Sequence, residues 1–73
     1  MRDTQAGSDV TVNGEPRVVP PGTTLLELLA RLELDPRVVV VEHNRRIVRG
    51  PELGAVRVAP GDAIELVHFV GGG

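Results

Sequence analysis

The sequence contains no cysteine, lysine, tryptophan or tyrosine, and Phe69 is its only aromatic residue. Without cysteine, the chain can form no disulfide framework and no thiolate metal site, and it cannot carry sulfur as a persulfide on a side chain. Without lysine, it has no side-chain amine that could attack an activated acyl group. The net charge of -2 and the single aromatic ring argue against a nucleic-acid partner, because such proteins favour basic surfaces and stacking aromatics.

Long apolar runs are also absent. The longest is Val38 to Val41, far below the roughly 20 residues of a membrane helix, and Met1 to Asp9 has no signal-peptide core. We therefore predict a cytoplasmic protein with no membrane partner. The 73 residues allow one small domain. Since a ligand pocket of roughly 300 Å³ would take much of its core, we do not expect an enzyme.

The chain divides into three parts by composition. Residues 1–8 are polar and aperiodic, which predicts a flexible N-terminal extension. Residues 9–70 carry the periodic apolar pattern of a folded domain. Residues 71–73 are three glycines, which predict a flexible C-terminal tail.

The first half predicts a hairpin followed by a helix. Val10 and Val12 alternate along one strand, Asn13-Gly14 is a hairpin turn, and Arg17 to Val19 resumes the pairing. After Pro20-Pro21-Gly22, Thr24 and Glu27 have the spacing of a capping box. A helix over about Leu25 to Leu32 should follow. Its apolar stripe consists of Leu25, Leu28, Leu29 and Leu32.

The second half predicts three more strands. Asp35-Pro36 should end the helix, and the stretch from Arg37 to Val41, with its four consecutive β-branched valines, then predicts a strand. A polar turn around His43 to Arg46 leads to Ile47-Val48. The segment 49–62 is mostly loop and ends in the turn Pro60-Gly61-Asp62. The last strand, Ile64 to Val70, is apolar enough to be central. These elements predict an α+β chain of the β-grasp (ubiquitin-like) fold, with one helix across a mixed sheet of about five strands.

No cluster of side chains indicates catalysis or metal binding. His43 and His68 are the only histidines, the carboxylates show no ligand spacing, and we predict no metal site and no bound cofactor. Arg45, Arg46 and Arg49 form a basic cluster that we interpret as a solvated face. No side chain of the chain is therefore assigned a catalytic role.

The end of the sequence offers a different chemistry. Three glycines after a strand would extend the α-carboxylate of Gly73 roughly 10 Å from the domain, and Gly71 and Gly72 lack the Cβ atoms that would block a narrow channel. The carboxylate is ionised at neutral pH and is a poor electrophile. It could attack the α-phosphate of ATP, and a sulfur donor could then displace AMP to leave a terminal thiocarboxylate.

Four stretches, in order, carry a resemblance to a known family. They are "VTVNGEP", "TTLLELL", "VVVVEHNRRIV" and "PGDAIELVHFVGGG", and together they resemble the ThiS sulfur carriers of thiamine biosynthesis over nearly all of residues 9–73. The resemblance implies a β-grasp fold and makes the carboxylate of Gly73 the group that is adenylated and thiocarboxylated. It implies three partners: a ThiF-type adenylating enzyme using ATP and magnesium, a cysteine desulfurase or other sulfur donor, and thiazole synthase.

Alternatives remain open at this stage. A sulfur carrier for molybdopterin or cysteine synthesis would use the same chemistry at Gly73, although His68-Phe69-Val70 favours the thiamine branch by resemblance. A ubiquitin-like interaction module would make the glycines a frayed end. Phe69 and Val70 are candidate partner contacts in a carrier, but ordinary sheet packing accounts for them slightly better.

Overall fold

The computed structural model of the protein describes residues 7–68. The described chain forms a five-stranded mixed sheet in the order β2-β1-β5-β3-β4, with one α-helix. This is the β-grasp arrangement that the sequence predicts. The elements are β1 (Ser8–Val12), β2 (Glu15–Val19), α1 (Leu25–Arg31), β3 (Val39–His43), β4 (Arg46–Val48) and β5 (Ala63–His68), with 3₁₀ helices at Pro36–Val38 and Gly50–Glu52.

The sheet places β5 at its centre, as predicted from the apolar content of that strand. β5 runs parallel to β1 on one side and antiparallel to β3 on the other. The hairpins β1–β2 and β3–β4 form the two outer pairs. The prediction extends the last strand to Val70, but Phe69, Val70 and the three glycines lie outside the described residues.

The helix begins at the predicted capping box. The Thr24 Oγ1 accepts a hydrogen bond from the Glu27 backbone N–H at 3.1 Å, and the Glu27 Oε1 accepts one from the Thr24 N–H at 2.9 Å. Leu25, Leu28 and Leu29 are each 1% exposed. Leu32, the last residue of the predicted stripe, is the C-cap and is only partly buried.

The helix ends before Asp35-Pro36, so the predicted cause of its termination is wrong. Glu33 adopts a left-handed conformation with φ 60°. Its N–H donates a hydrogen bond to the Ala30 carbonyl, and the Leu34 N–H donates one to the Leu29 carbonyl. These bonds form a Schellman motif, which satisfies the last helical carbonyls and turns the chain. The motif usually has glycine at the left-handed position. Because this position is Glu33, the sequence does not predict the motif.

The run from Arg37 to Val41 is a strand only in its second part. Pro36–Val38 is a 3₁₀ turn, in which the Asp35 carboxylate accepts a hydrogen bond from the Arg37 N–H at 2.9 Å. β3 therefore begins at Val39. This correction follows from the side chain of Asp35, which caps the turn and delays the extended conformation.

The core lies between α1 and the inner face of the sheet. The sheet contributes Val10, Val12, Val19, Val39, Val41 and Ile64, and the segment between β4 and β5 contributes Leu53 and Val58. Leu53 is 1% exposed although it lies in a stretch that the sequence predicts as loop. Within the described residues, no helix is both long and apolar enough to span a membrane.

Candidate functional site at the end of β5

The predicted functional residues follow directly after β5. Phe69, Val70, Gly71, Gly72 and Gly73 all lie outside the described residues, so their predicted roles stay predictions. The structure does describe the strand that leads to them. His68, the last described residue, pairs with Val39 of β3, and it is exposed.

Two asparagines, one in each of the hairpins that flank β5, make hydrogen bonds to that strand. Asn13, in the β1–β2 turn, accepts a hydrogen bond from the Leu66 N–H at 2.7 Å, and its own N–H donates to the Ile64 carbonyl at 2.8 Å. Asn44, in the β3–β4 turn, accepts from the Ala63 N–H at 2.9 Å and donates its N–H to the Ala63 carbonyl at 2.8 Å. Both turns thus anchor the strand that precedes the tail.

Both asparagines begin two-residue hairpin turns with positive φ at both positions. Asn13 and Gly14 have φ 52° and 83°, and Asn44 and Arg45 have φ 52° and 72°. This is the type I′ geometry, which favours glycine at the second position. The first turn follows this preference, but the second places an arginine there.

The turn before β5 is fixed by Asp62. Its Oδ2 lies 2.6 Å from the His43 Nε2 and accepts a hydrogen bond from the Ala59 N–H at 2.8 Å, while its Oδ1 accepts one from the Asn44 amide at 3.1 Å. Burial acts to raise the pKa of Asp62, but the hydrogen bonds from His43, Ala59 and Asn44 outweigh it and lower that pKa. Sequence analysis assigned His43 no role, whereas the structure makes it a partner of Asp62.

The outer face of the sheet, which points away from α1, carries a mixed apolar and charged surface around β5. A shallow depression of about 580 Å³ is lined by Glu42, Arg45, Ala63, Glu65 and Val67. Val67 is 57% exposed there. Sequence analysis did not identify this surface, although the alternation of Glu65 and Val67 along β5 places both on one face.

The described residues contain no group of three or more histidine, aspartate and glutamate side chains that could hold a metal ion. The predicted basic cluster is divided between the faces of the hairpin. Arg45 lines the outer depression, whereas Arg46 pairs with His43 and lies on the opposite face. The structure therefore does not bring the arginines together as one binding surface.

Comparison with known proteins gives a consistent result. The model of the "ThiS family" matches residues 10–73. The sulfur carrier protein ThiS of Bacillus subtilis is 42% identical over 50 residues, which covers 68% of this chain and 76% of that protein. A crystal structure of the thiamine biosynthesis protein ThiS from Geobacter metallireducens superimposes with a TM-score of 0.77 at 35% identity, over 89% of this chain and 99% of that one.

A second kind of relative is much longer. A thiazole synthase of Magnetococcus marinus is 45% identical over 64 residues, which covers 88% of this chain but 20% of that protein. A thiazole synthase of Paramagnetospirillum magneticum gives 41% identity over the same length and also 20% coverage. The chain thus spans about a fifth of these proteins. The family model, the bacterial relatives and the solved structure agree, and the chain belongs to the ThiS family.

Proposed function

We infer that this chain is a sulfur carrier protein for thiamine biosynthesis and acts as a protein co-substrate, not as an enzyme. The observation that carries the inference is the match to the ThiS family over residues 10–73, which includes the terminal glycines. The Bacillus subtilis relative, named a sulfur carrier protein, agrees with it over 50 residues. The fold gives further support, because the last described strand is central and is held by two hairpin turns, and the segment with the glycines follows it in sequence after Phe69-Val70.

The proposed reaction takes place at the carboxylate of Gly73. One carboxylate oxygen attacks the α-phosphorus of ATP. The bond between this phosphorus and the oxygen that bridges the α- and β-phosphates breaks, and pyrophosphate leaves. The resulting acyl-adenylate is attacked by a sulfur nucleophile from the donor, and AMP leaves with the electron pair of the acyl C–O bond. When the donor is a persulfide, its outer sulfur forms the new acyl C–S bond and the product is an acyl disulfide; a second thiol then reduces the S–S bond, which leaves the thiocarboxylate on Gly73 and a disulfide on the donor. The proposal requires Gly73 to have a free α-carboxylate.

The proposed partners follow from these steps. A ThiF-type adenylating enzyme binds and uses the ATP and magnesium, so this chain needs no cofactor of its own. A cysteine desulfurase or another sulfur donor supplies the sulfur. Thiazole synthase consumes it, and the existence of thiazole synthases that contain a segment similar to this chain supports that pairing. ATP and reduced sulfur are both available in the cytoplasm, where we place the reaction.

Gly71 and Gly72 are proposed to thread the channel of the partner. Glycine has no Cβ, so the backbone can approach a catalytic centre closely and adopt angles that are closed to other residues. Phe69 and Val70 are proposed as partner contacts that seat this segment. β5 is paired with β1 on one side and with β3 on the other, which fixes the position from which this segment would reach the partner.

Intact-mass analysis tests the proposed function. The full chain is incubated with ATP, magnesium, a sulfur source and a cytosolic extract from its own organism. We expect a mass gain equal to the replacement of one oxygen by sulfur, and fragmentation should locate it at Gly73. Absence of a gain, in an extract that loads another carrier of this kind, would contradict the proposal and favour an interaction module.

A further inference from the structure

The pairing of β3 with β5 stops at a turn that the sequence does not predict. Among the described residues, the last pair in the register is Val39 opposite His68. Continued by one step, the same register would place Phe69 opposite Val38. At that point, however, the β3 side of the ladder is the 3₁₀ helix Pro36–Val38 and not a strand.

The backbone groups of β5 alternate between its two neighbouring strands. The Ile64 carbonyl and the Leu66 N–H both bond to Asn13, on the β1 side. Because alternate residues of an antiparallel pair exchange hydrogen bonds with the same neighbour, Val67 directs its N–H and C=O toward β3. If the strand continued, position 69 would be the next to face β3.

The N–H that such a further pair would need is already in use. The Val38 N–H donates to the Asp35 carbonyl at 3.0 Å, which closes the 3₁₀ turn. The Asp35 side chain holds the same turn, because its Oδ1 accepts the Arg37 N–H at 2.9 Å and its Oδ2 accepts the Arg37 Nη2 at 2.8 Å. Hydrogen bonds from the Arg37 side chain and N–H lower the pKa of Asp35 to about 2, so this acceptor is ionised at neutral pH. Pro36 adds a φ that is already fixed for the turn.

Local composition favours a strand on both sides of this point. Val38 is the first of four consecutive valines, and Phe69-Val70 continues the apolar run of β5. Valine and phenylalanine are both enriched in strands. The turn therefore forms against the local preference, and departures of this kind are expected where a structure serves a function.

The point at which the ladder stops sets the reach of the chain beyond it. Five residues follow His68 up to Gly73, and they span at most about 18 Å when fully extended. Pairing of Phe69 and Val70 with β3 would leave only the three glycines, which span at most about 11 Å. It would also occupy the backbone of the two residues that are proposed to contact the partner.

We propose that the turn at Pro36–Val38, capped by Asp35, is a strand stop. It ends the β3–β5 ladder at His68 and thereby keeps Phe69–Gly73 available to the adenylating enzyme. Asp35 is a positioning residue, since it acts through the turn and does not touch the reacting atoms. The proposal rests on the proposed function, because the reach beyond His68 matters only if the terminal carboxylate reacts inside a partner.

The test compares two double variants that each lose one proline and one carboxylate. Asp35→Val with Pro36→Val, the extension variant, removes the cap and the fixed φ of the strand stop. Pro51→Val with Glu52→Val, the control variant, makes the same change at exposed positions of the other 3₁₀ helix. Asp35→Asn is the conservative variant, because it keeps an oxygen that can accept the Arg37 N–H.

Amide hydrogen exchange, measured by NMR, tests the strand stop without any partner. In the unaltered chain the Phe69 amide should exchange like an unpaired backbone amide, whereas the Val67 amide, which faces β3, should be protected. The extension variant should slow exchange at Phe69 by about tenfold, and the conservative and control variants should not. Thermal unfolding checks that each variant folds. If the extension variant does not fold, Asp35→Ala, which removes only the cap, replaces it with the same direction expected.

Adenylation by the ThiF-type enzyme, followed by pyrophosphate release, tests whether the strand stop serves the reaction. If the extension variant is paired about 90% of the time, only the remaining fraction can bind, so KM should rise about tenfold with kcat within about twofold. The conservative variant should restore KM to that of the unaltered chain. An unchanged KM despite added protection at Phe69, or a raised KM without that protection, would overturn the proposal. Protection of Phe69 equal to that of Val67 in the unaltered chain would overturn it as well.

The strand stop and the proposed function fail in distinguishable ways. Adenylation of the unaltered chain, with no effect of the extension variant on Phe69 exchange or on KM, would leave the function intact and reject the strand stop. Lack of adenylation of the unaltered chain, with Phe69 protected only in the extension variant, would reject the proposed function and still support the turn as the end of the ladder. Lack of adenylation together with no change in Phe69 exchange would reject both.

Discussion

The Nε2 of His43 lies 2.6 Å from the Oδ2 of Asp62, and this contact joins the end of β3 to the turn before β5. Both side chains are largely buried, with 20% and 12% of their surfaces exposed. The same carboxylate receives the Ala59 N–H and the Asn44 amide. Asp62 therefore connects the turn after Ala59 with the β3–β4 hairpin and fixes where the central strand begins.

Replacing Asp62 by asparagine should destabilise the fold and alter its acid sensitivity. The pKa of Asp62 is lowered in the folded chain, below the unfolded value of about 3.9. Its ionised form therefore contributes stability that is complete at neutral pH and is lost as the pH falls below about 4. We expect Asp62→Asn to lower the free energy of unfolding by about 2 kcal/mol at pH 7, as measured by urea denaturation.

Asp9→Asn is the matched control, because Asp9 is exposed on β1 and the change in charge is the same. It should alter stability by less than about 0.5 kcal/mol. The difference between Asp62→Asn and the unaltered chain should shrink as the pH approaches 3. A constant difference from pH 7 to pH 3 would contradict a role for the ionised carboxylate.

Replacing Arg45 by glycine should stabilise the protein. The residue has φ 72° in a two-residue turn, a conformation that costs side-chain-bearing residues about 1–2 kcal/mol. Glycine removes this strain but loses more entropy on folding, so the expected net gain is about 0.5–1 kcal/mol. Thermal unfolding followed by circular dichroism would measure it.

The equivalent turn offers the reverse substitution as a control. Gly14 has φ 83°, and a Cβ added there would meet no atom within 4 Å. Gly14→Arg should therefore cost about 1 kcal/mol through backbone strain alone. If Arg45→Gly lowered the thermal midpoint, the side chain of Arg45 would be making a stabilising contact that outweighs its backbone conformation.

Truncation of Leu28 should destabilise the core far more than truncation of Leu26 on the same helix. Leu28 is 1% exposed, whereas Leu26 is 42% exposed. Leu28→Ala leaves a cavity and should cost about 2–5 kcal/mol, a large part of the stability of a domain of this size. Leu26→Ala should cost less than about 1 kcal/mol. Equal costs, measured by urea denaturation, would contradict the placement of the apolar stripe.

Deletion of Gly73 should abolish sulfur loading and leave the fold unchanged. The carboxylate would be withdrawn by one residue, about 3.6 Å, while the core residues that the structure describes end at Ile64. Deletion of Met1 is a one-residue control at the other end of the sequence. Intact-mass analysis after incubation should show loading for the control and none for the Gly73 deletion. An undiminished yield from the deletion would contradict the carrier reaction.

Much of the fold followed from local pattern. Three local patterns form the structures that they predict: the Asn13-Gly14 turn, the capping box of Thr24 and Glu27, and the leucine stripe. The predicted helix stop and the predicted start of β3 were wrong because other residue types stand where the usual sequence signals would be. Glu33 forms the left-handed position of a Schellman motif without a glycine, and Asp35 caps a 3₁₀ turn in a run that otherwise has the composition of a strand.

The site was predicted only in its chemistry. The glycine segment and the family resemblance predict Gly73 as the reacting residue from residue order alone, and this stays a prediction because residues 69–73 lie outside the described residues. The His43–Asp62 contact and the Glu42–Glu65 pair join residues 19 and 23 positions apart in sequence. Their proximity depends on strand order and register, which local periodicity does not specify.

The sequence by itself determined most of the helix and strands and the central position of the last strand, because these depend on periodicity and capping residues. The tertiary structure determines which charged side chains lie close together. Placing β5 between β1 and β3 brings Asp62 to His43 and sets Glu65 opposite Glu42. A residue without a local signal acquires its partners only when distant strands pair, because side-chain interactions depend on distance in space and not on separation along the chain.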